Sequence, residues 1–276
     1  MRRARHAVVL AALLAALGPL HAAAQTPDPA PVRSDPDVVL DPLQPDFTLA
    51  ALPTTLRMPA GRWAFRVTHR FTRNLASGSF GDHASSLFGL DGGAQIGLEV
   101  RIGVAAGTQL GIHRTSDRAI QLFVQQNLLS ERRDAPFGAD VLVTLEGDDN
   151  LSEHHQTAIG AVLSKYLGRR AAVYAEPLVV VNANPLAAGD AHTLMLGLGA
   201  RVRAGASRYL FAEVVPRLAG HRPAAHQFTV GFESRAGGHL FQLNAGNGWG
   251  TTLGQLARGG IPDQWFLGFN ISRKFF

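Results

Sequence analysis

The chain closes on Gln264-Trp265-Phe266-Leu267-Gly268-Phe269-Asn270-Ile271-Ser272-Arg273-Lys274-Phe275-Phe276, a run in which apolar and polar residues alternate. Successive side chains of a strand point to opposite faces. One face therefore carries Trp265, Leu267, Phe269, Ile271 and Phe275, and the other carries Gly268, Asn270, Ser272 and Lys274. Lipid on one side and a wet interior on the other demand this dyad pattern, which is the period of a transmembrane β-barrel. By the same parity Phe275 lines up with the outward set and Phe276 overhangs by one. Trp265, Phe269, Ile271, Phe275 and Phe276 are the residues expected to form the membrane-insertion signal read by the outer-membrane assembly machinery.

The other end of the chain agrees with that address. Residues 1–24 have a basic start (Arg2, Arg3, Arg5), an apolar run from Ala7 to Leu17 and the small residues Ala22-Ala23-Ala24, the pattern of a cleaved signal peptide. The apolar run is shorter than a spanning helix needs. The expected location is the outer membrane of a Gram-negative cell, with lipid and the assembly machinery as partners. There is no cysteine, which excludes a disulfide framework, a thiolate metal site and a lipidated N-terminal cysteine.

Residues 25–61 are studded with proline and lack sustained periodicity, as a poorly ordered periplasmic leader would. The alternatives are a plug folded into the barrel and a docking arm, and Phe47 and Leu49 are the residues that fit a disordered tail least. From residue 62 to 276 the period is two and turn residues return at short intervals. Strands are expected near 62–73, 93–104, 108–115, 118–128, 139–146, 156–167, 171–182, 192–203, 208–216, 227–235, 238–246 and 264–276. This is an all-β, antiparallel up-and-down barrel of about twelve strands, even-numbered as in single-chain bacterial barrels. Tight connections at 105–107, 168–170, 204–207 and 236–237 alternate with longer ones, which puts both termini on the short-loop side. The segment 129–138 is long for that side and 116–117 short for the other. Trp63, Tyr166, Tyr209, Trp265 and Phe275 lie near strand ends, where aromatic girdles form.

Three segments resemble the DUF5777 family of bacterial membrane β-barrels, a family of undefined function. They are Leu52-Pro53-Thr54 through Met58-Pro59-Ala60-Gly61 into Phe65-Arg66-Val67-Thr68-His69-Arg70-Phe71, then Phe88-Gly89-Leu90-Asp91-Gly92, and Gly237-Gly238-His239-Leu240-Phe241-Gln242-Leu243 followed by Gly268-Phe269-Asn270-Ile271-Ser272-Arg273. The resemblance runs from about Leu52 to Phe276. It implies a membrane barrel and no activity.

Parity gives the lumen-lining candidates Arg66, Arg70, Glu99, Arg101, Glu176, Arg201, Glu233, Asn270 and Lys274, with His113, Gln121, Gln125, Asp140, Glu146, Arg203, Gln242 and Asn244 on the same face. Both signs of charge are mixed, whereas an ion-selective pore carries a ring of one sign. Inward glycines at 97, 111, 160, 197, 199, 231 and 268 remove volume and favour open space. The first expectation is a narrow, porin-like channel or binding barrel for a small solute. The second is a closed structural or docking barrel with a salt-bridged interior. A phospholipase-type surface enzyme is the third and weakest reading: Asp82-His83 with Ser85 and Ser86 supplies residue types without proof of geometry. No Gly-x-Ser-x-Gly or His-Glu-x-x-His motif occurs, and the expectation is no enzyme, no cofactor and no metal. His154 and His155 are adjacent on a strand and so point apart. The arginines are scattered without stacking aromatics, which argues against nucleic acid as a partner.

Overall fold

The computed structural model describes residues 39–186 and 191–276, so the signal peptide at 1–24 and the first part of the leader lie outside the described residues. Alternation produces the strands β1 (Trp63–Phe71), β2 (Ala94–Ala105), β3 (Thr108–Thr115), β4 (Ile120–Leu129), β5 (Gly138–Gly147), β6 (Glu153–Leu167), β7 (Ala171–Val181), β8 (Thr193–Arg203), β9 (Arg208–Val215), β10 (Arg217–Gly220), β11 (Gln227–Ala236), β12 (His239–Gly246) and β13 (Phe266–Phe275). Every expected strand is present, with ends within three residues of those read from the sequence. Two short helices, α1 (Phe80–Ser85) and α2 (Leu253–Arg258), sit in the long connections.

The strands close into one antiparallel barrel. β9 and β10 both pair with β8 and form a single stave interrupted at Pro216, so the thirteen segments make twelve staves. Proline has no N–H for the ladder, which is why the stave breaks there. The seam joins the first strand to the last, with Trp63 opposite Phe275 and Val67 opposite Ile271. Both chain ends of the barrel therefore lie at one rim, here called the terminal end. The connections at this end are short except for residues 130–137. That turn is held by Glu131, which accepts from Lys165 Nζ at 2.9 Å and Tyr166 N at 2.8 Å, so its length reflects local structure and hides no extra strand.

The outer face is apolar: Leu98, Ile271 and Leu243 stand open at 49%, 37% and 60% exposure. Only lipid would cover such a belt without cost. Trp63 stacks on Phe275 at 3.8 Å at the terminal rim, and Trp265 meets Phe228 edge-on at 4.9 Å at the opposite rim. Tyr166 and Tyr209 do not join these girdles. The Tyr166 hydroxyl donates to Asp41 inside the barrel, and Tyr209 is fully buried. His69 sits on the outer face near the end of β1, stacked on Phe269 at 4.7 Å and tilted against Phe71 at 4.4 Å.

Candidate functional site

Twelve staves enclose more space than their own side chains fill, and here the space is taken by residues 41–58. Asp41 and residues 43–56 are buried, Leu49 and Leu52 almost completely, as is Met58. A bridge between Thr48 and Pro53, with Leu49 N donating to Leu52 O at 2.8 Å and Thr54 N to Phe47 O at 2.8 Å, folds this segment into a hairpin with its tip at Leu49-Ala50-Ala51-Leu52. The leader expected at 25–61 to be a disordered tail is thus, from Asp41 to Met58, an internal plug. Its prolines suit it to the task because it pairs with no sheet and leaves few donors to satisfy.

Burying a hairpin strands its backbone polar groups unless the wall meets them. Arg66 Nη1, Arg70 Nη2 and Asn270 Nδ2 all donate to Ala50 O, at 3.1, 3.4 and 3.0 Å. Arg201 Nη2 donates to Thr48 O at 2.7 Å, Gln242 Nε2 to Leu49 O at 3.1 Å and Gln125 Nε2 to Thr54 O at 2.7 Å. In the opposite sense the Glu213 carboxylate accepts from the amides of Ala50 at 3.0 Å and of Ala51 and Leu52 at 3.1 Å. Lower down, Ser272 Oγ donates to Asp46 at 2.6 Å, Lys274 Nζ donates to Pro45 O, and the hydroxyls of Thr55 and Ser164 meet at 2.5 Å.

Charges on the wall also pair among themselves. Glu99 bridges Arg66 at 2.8 Å and Arg101 at 2.9 Å, and Arg201 grips Glu233 through Nε at 2.7 Å and Nη2 at 2.9 Å. Fork-to-carboxylate pairs of this kind are the strong form of a buried ion pair. Among the described residues Arg70 makes no direct ion pair, though Glu213 lies within electrostatic reach, and its donors go to Asn270 Oδ1 at 2.8 Å and to backbone carbonyls, Ala50 O among them. Between β4 and β9 these polar groups are interleaved with an apolar cluster in which Leu142, Val162, Leu178, Met195 and Phe211 pack with Leu49, Leu52 and Leu253.

The inward glycines open no lumen. A Cβ on Gly197 would meet Leu52 Cδ2 at 2.8 Å, and one on Gly199 would overlap Leu49, so β8 is scooped out to seat the hairpin tip. At the far end the 247–263 connection folds inward. Thr252 Oγ1 and Gly254 N donate to Glu146 at 2.8 and 3.0 Å, Leu253 N donates to Gln121 at 2.8 Å, and Arg258 pairs with Asp148 at 2.8 Å. Between hairpin and α2 there remains a cavity of about 20 Å³ beside Arg66, Glu99, His113 and Gln121. That is room for a water molecule and little more.

All nine lumen candidates, Arg66, Arg70, Glu99, Arg101, Glu176, Arg201, Glu233, Asn270 and Lys274, are buried inside the barrel. Arg203, of the same parity, instead donates to the carbonyls of Gly205 and Ala206 in its own turn. Phe269, Ile271 and Phe275 lie on the outer face of β13 and Trp265 is exposed just ahead of it, whereas Phe276 packs against the cluster of Phe47, Leu56, Met58 and Ala64. Glu213 and Asp46 escaped the sequence reading. Glu213 has inward parity, but apolar neighbours on both faces of β9 blur the alternation that would have exposed it.

In the 74–93 connection the Ser85 and Ser86 hydroxyls donate to the Asp82 carbonyl at 3.0 and 3.1 Å, and Ser86 also to the His83 carbonyl at 3.2 Å, so neither hydroxyl is paired with the His83 ring. Asp82 caps α1 through Ser79, and the hydrogen bonds from the Ser79 amide and hydroxyl hold its carboxyl below the usual carboxylate range. Asp148 and Asp149 are engaged by Arg258 and Arg118, and among the described residues no group of three or more His, Cys, Asp or Glu is placed to hold a metal.

A family model described as a membrane bound beta barrel domain (DUF5777) matches residues 46–275, so most of the hairpin falls inside the shared domain. Among solved structures the chain is similar to the NanC porin, with 10% identity and a TM-score of 0.52, covering 77% of this chain and 100% of that one. A Rhodopseudomonas blastica porin triple mutant aligns with 9% identity and a TM-score of 0.36 over 66% of this chain, which spans only 55% of that porin's length. No curated protein matches.

Proposed function

This chain belongs to the DUF5777 family of membrane-bound β-barrels, and on that premise we propose that it is a gated outer-membrane channel for a small solute, held shut by its own hairpin. The observation that carries the reading is the manner in which residues 41–58 are bound. Polar side chains of the wall hold the hairpin by its backbone, through the contacts to Thr48 O, Leu49 O, Ala50 O and Thr54 O. Groups that hydrogen-bond a peptide backbone can hydrogen-bond water and solute after it leaves. Both legs of the hairpin exit at the terminal end, so it retracts without unthreading, and the 247–263 connection is a second closure to be moved. The signal peptide, the outward belt and the aromatic last strand support placement in a bacterial outer membrane. We assign no reaction to the protein.

The test exploits the absence of native cysteine. Thr55→Cys with Ser164→Cys replaces a 2.5 Å oxygen contact by a disulfide of about 2.05 Å, pinning one leg to β6. In a planar bilayer the reduced double variant should give discrete openings, and oxidation should abolish them reversibly. Silence of the reduced, folded protein at every voltage would sink the channel reading. That silence is what the alternative predicts, a permanently closed structural barrel, which the Arg66–Glu99–Arg101 and Arg201–Glu233 pairs favour.

A further inference from the structure

We propose that the wall beneath the hairpin tip is a binding site for a short apolar peptide with free ends, bound in the chain direction opposite to Leu49-Ala50-Ala51-Leu52, which fills the site in the closed barrel. This rests on the gating reading, since the tip must withdraw before a ligand can enter.

The tip is itself peptide, and the wall recognises it as one. Glu213 takes the N–H groups of three consecutive residues. Arg66, Arg70 and Asn270 converge on the one carbonyl of Ala50. Apolar side chains have their seats as well, Leu52 over Gly197 and Leu49 over Gly199.

The wall's charges exceed what the tip can use. A neutral carbonyl oxygen carries two lone pairs, yet two guanidinium groups and an amide are directed at it. A carboxylate in that place would supply a full negative charge and the further acceptor. On the other side Glu176 is fully buried, and neither of its carboxylate oxygens has a hydrogen-bond partner. Its Cβ lies 3.1 Å from where a Cβ on Gly197 would stand, next to the Leu52 side chain. The hairpin offers no N–H to Glu176. An α-ammonium group there would bring one positive charge and three donors. The site is thus built for a molecule with at least one amide N–H in the middle, apolar side chains, a cation at the Glu176 end and an anion at the Arg70 end. A di- or tripeptide has that chemistry; a simple anion meets only half of it.

The probe is the dipeptide Leu-Leu, titrated calorimetrically into the full-length Thr55→Cys/Ser164→Cys protein in detergent, beside N-acetyl-Leu-Leu, Leu-Leu amide and acetate. Leu-Leu should bind the reduced form and lose binding on oxidation. Either blocked peptide should bind about tenfold more weakly or worse, the usual loss when a charge-assisted hydrogen bond is removed. Glu176→Gln should weaken Leu-Leu to a similar degree while leaving N-acetyl-Leu-Leu unchanged, a pattern that a merely destabilised barrel would not give. Equal binding to the oxidised form, or acetate competing as well as Leu-Leu, would overturn the peptide assignment. Openings in the bilayer without dipeptide binding would overturn it too and leave the gate standing, whereas loss of the openings themselves would remove the gate.

Discussion

Leu49 lies directly over Gly199, its Cγ 3.7 Å from the point a Cβ on that glycine would occupy and its Cδ1 overlapping it. The two residues are joined as knob and socket although one belongs to the leader and the other to β8. Gly199→Val fills the socket. The expected outcome is an ejected hairpin tip in an intact barrel, seen as more frequent openings in a bilayer and as protease cleavage between residues 41 and 58. Unchanged protection of that segment would contradict the packing described here.

Glu213→Ala removes the acceptor of three buried amides at once. A buried donor left without a partner costs about 1–3 kcal/mol. Even one such loss should raise the hairpin's opening equilibrium by about tenfold, measurable by amide exchange at Ala50, Ala51 and Leu52. Glu213→Gln, which keeps one acceptor oxygen, should fall between the two.

The Arg201–Glu233 pair is fully buried on both sides. Breaking such a pair from one side typically costs about 3–5 kcal/mol, while replacing both partners by apolar residues costs far less. Arg201→Met should therefore lower the urea midpoint of unfolding in micelles more than Arg201→Met/Glu233→Met does. The reverse order would show that the bond Glu233 accepts from Gln242 Nε2 matters more than the relief of its unpaired charge.

Leu98 faces outward midway along β2, and its neighbour Glu99 faces in. Leu98→Arg should cost about 2–4 kcal/mol in a bilayer if residue 98 is near the midplane. Assembly into lipid vesicles, followed by the heat-dependent gel shift of folded barrels, reports it. Detergent, which adapts to a charged patch, should soften the effect.

The wall was legible in the sequence because strand parity is local: Arg66, Glu99, Arg201 and Asn270 fall inside by counting in twos from their apolar neighbours. The occupant was not. Nothing between Asp41 and Met58 repeats at any period, because this segment is shaped by a cavity that β1 to β13 create, and its backbone groups answer to partners more than a hundred residues away. Glycine on the inner face was likewise ambiguous, since Gly197 and Gly199 read as empty volume until Leu52 and Leu49 are placed against them. The inward fold of α2 depends on Glu146 and Gln121 from two other strands, and a six-residue helix leaves no periodic trace of such contacts.

Phe276, the last residue, rests on Phe47 and Met58 just inside the rim where β13 zips to β1. The first and last parts of the barrel domain therefore meet at one small apolar cluster. Pairing strands so distant along the chain is slow, because loop-closure entropy is lost before the contacts reward it. Lodging the hairpin and closing the seam share this cluster and the bonds that Arg66, Arg70 and Asn270 of the two seam strands make to Ala50 O, so a nascent barrel with its seam ajar holds the hairpin by fewer contacts. Closing the cylinder and filling it are thus coupled, because the strands that meet last along the chain also complete the seat of the cork.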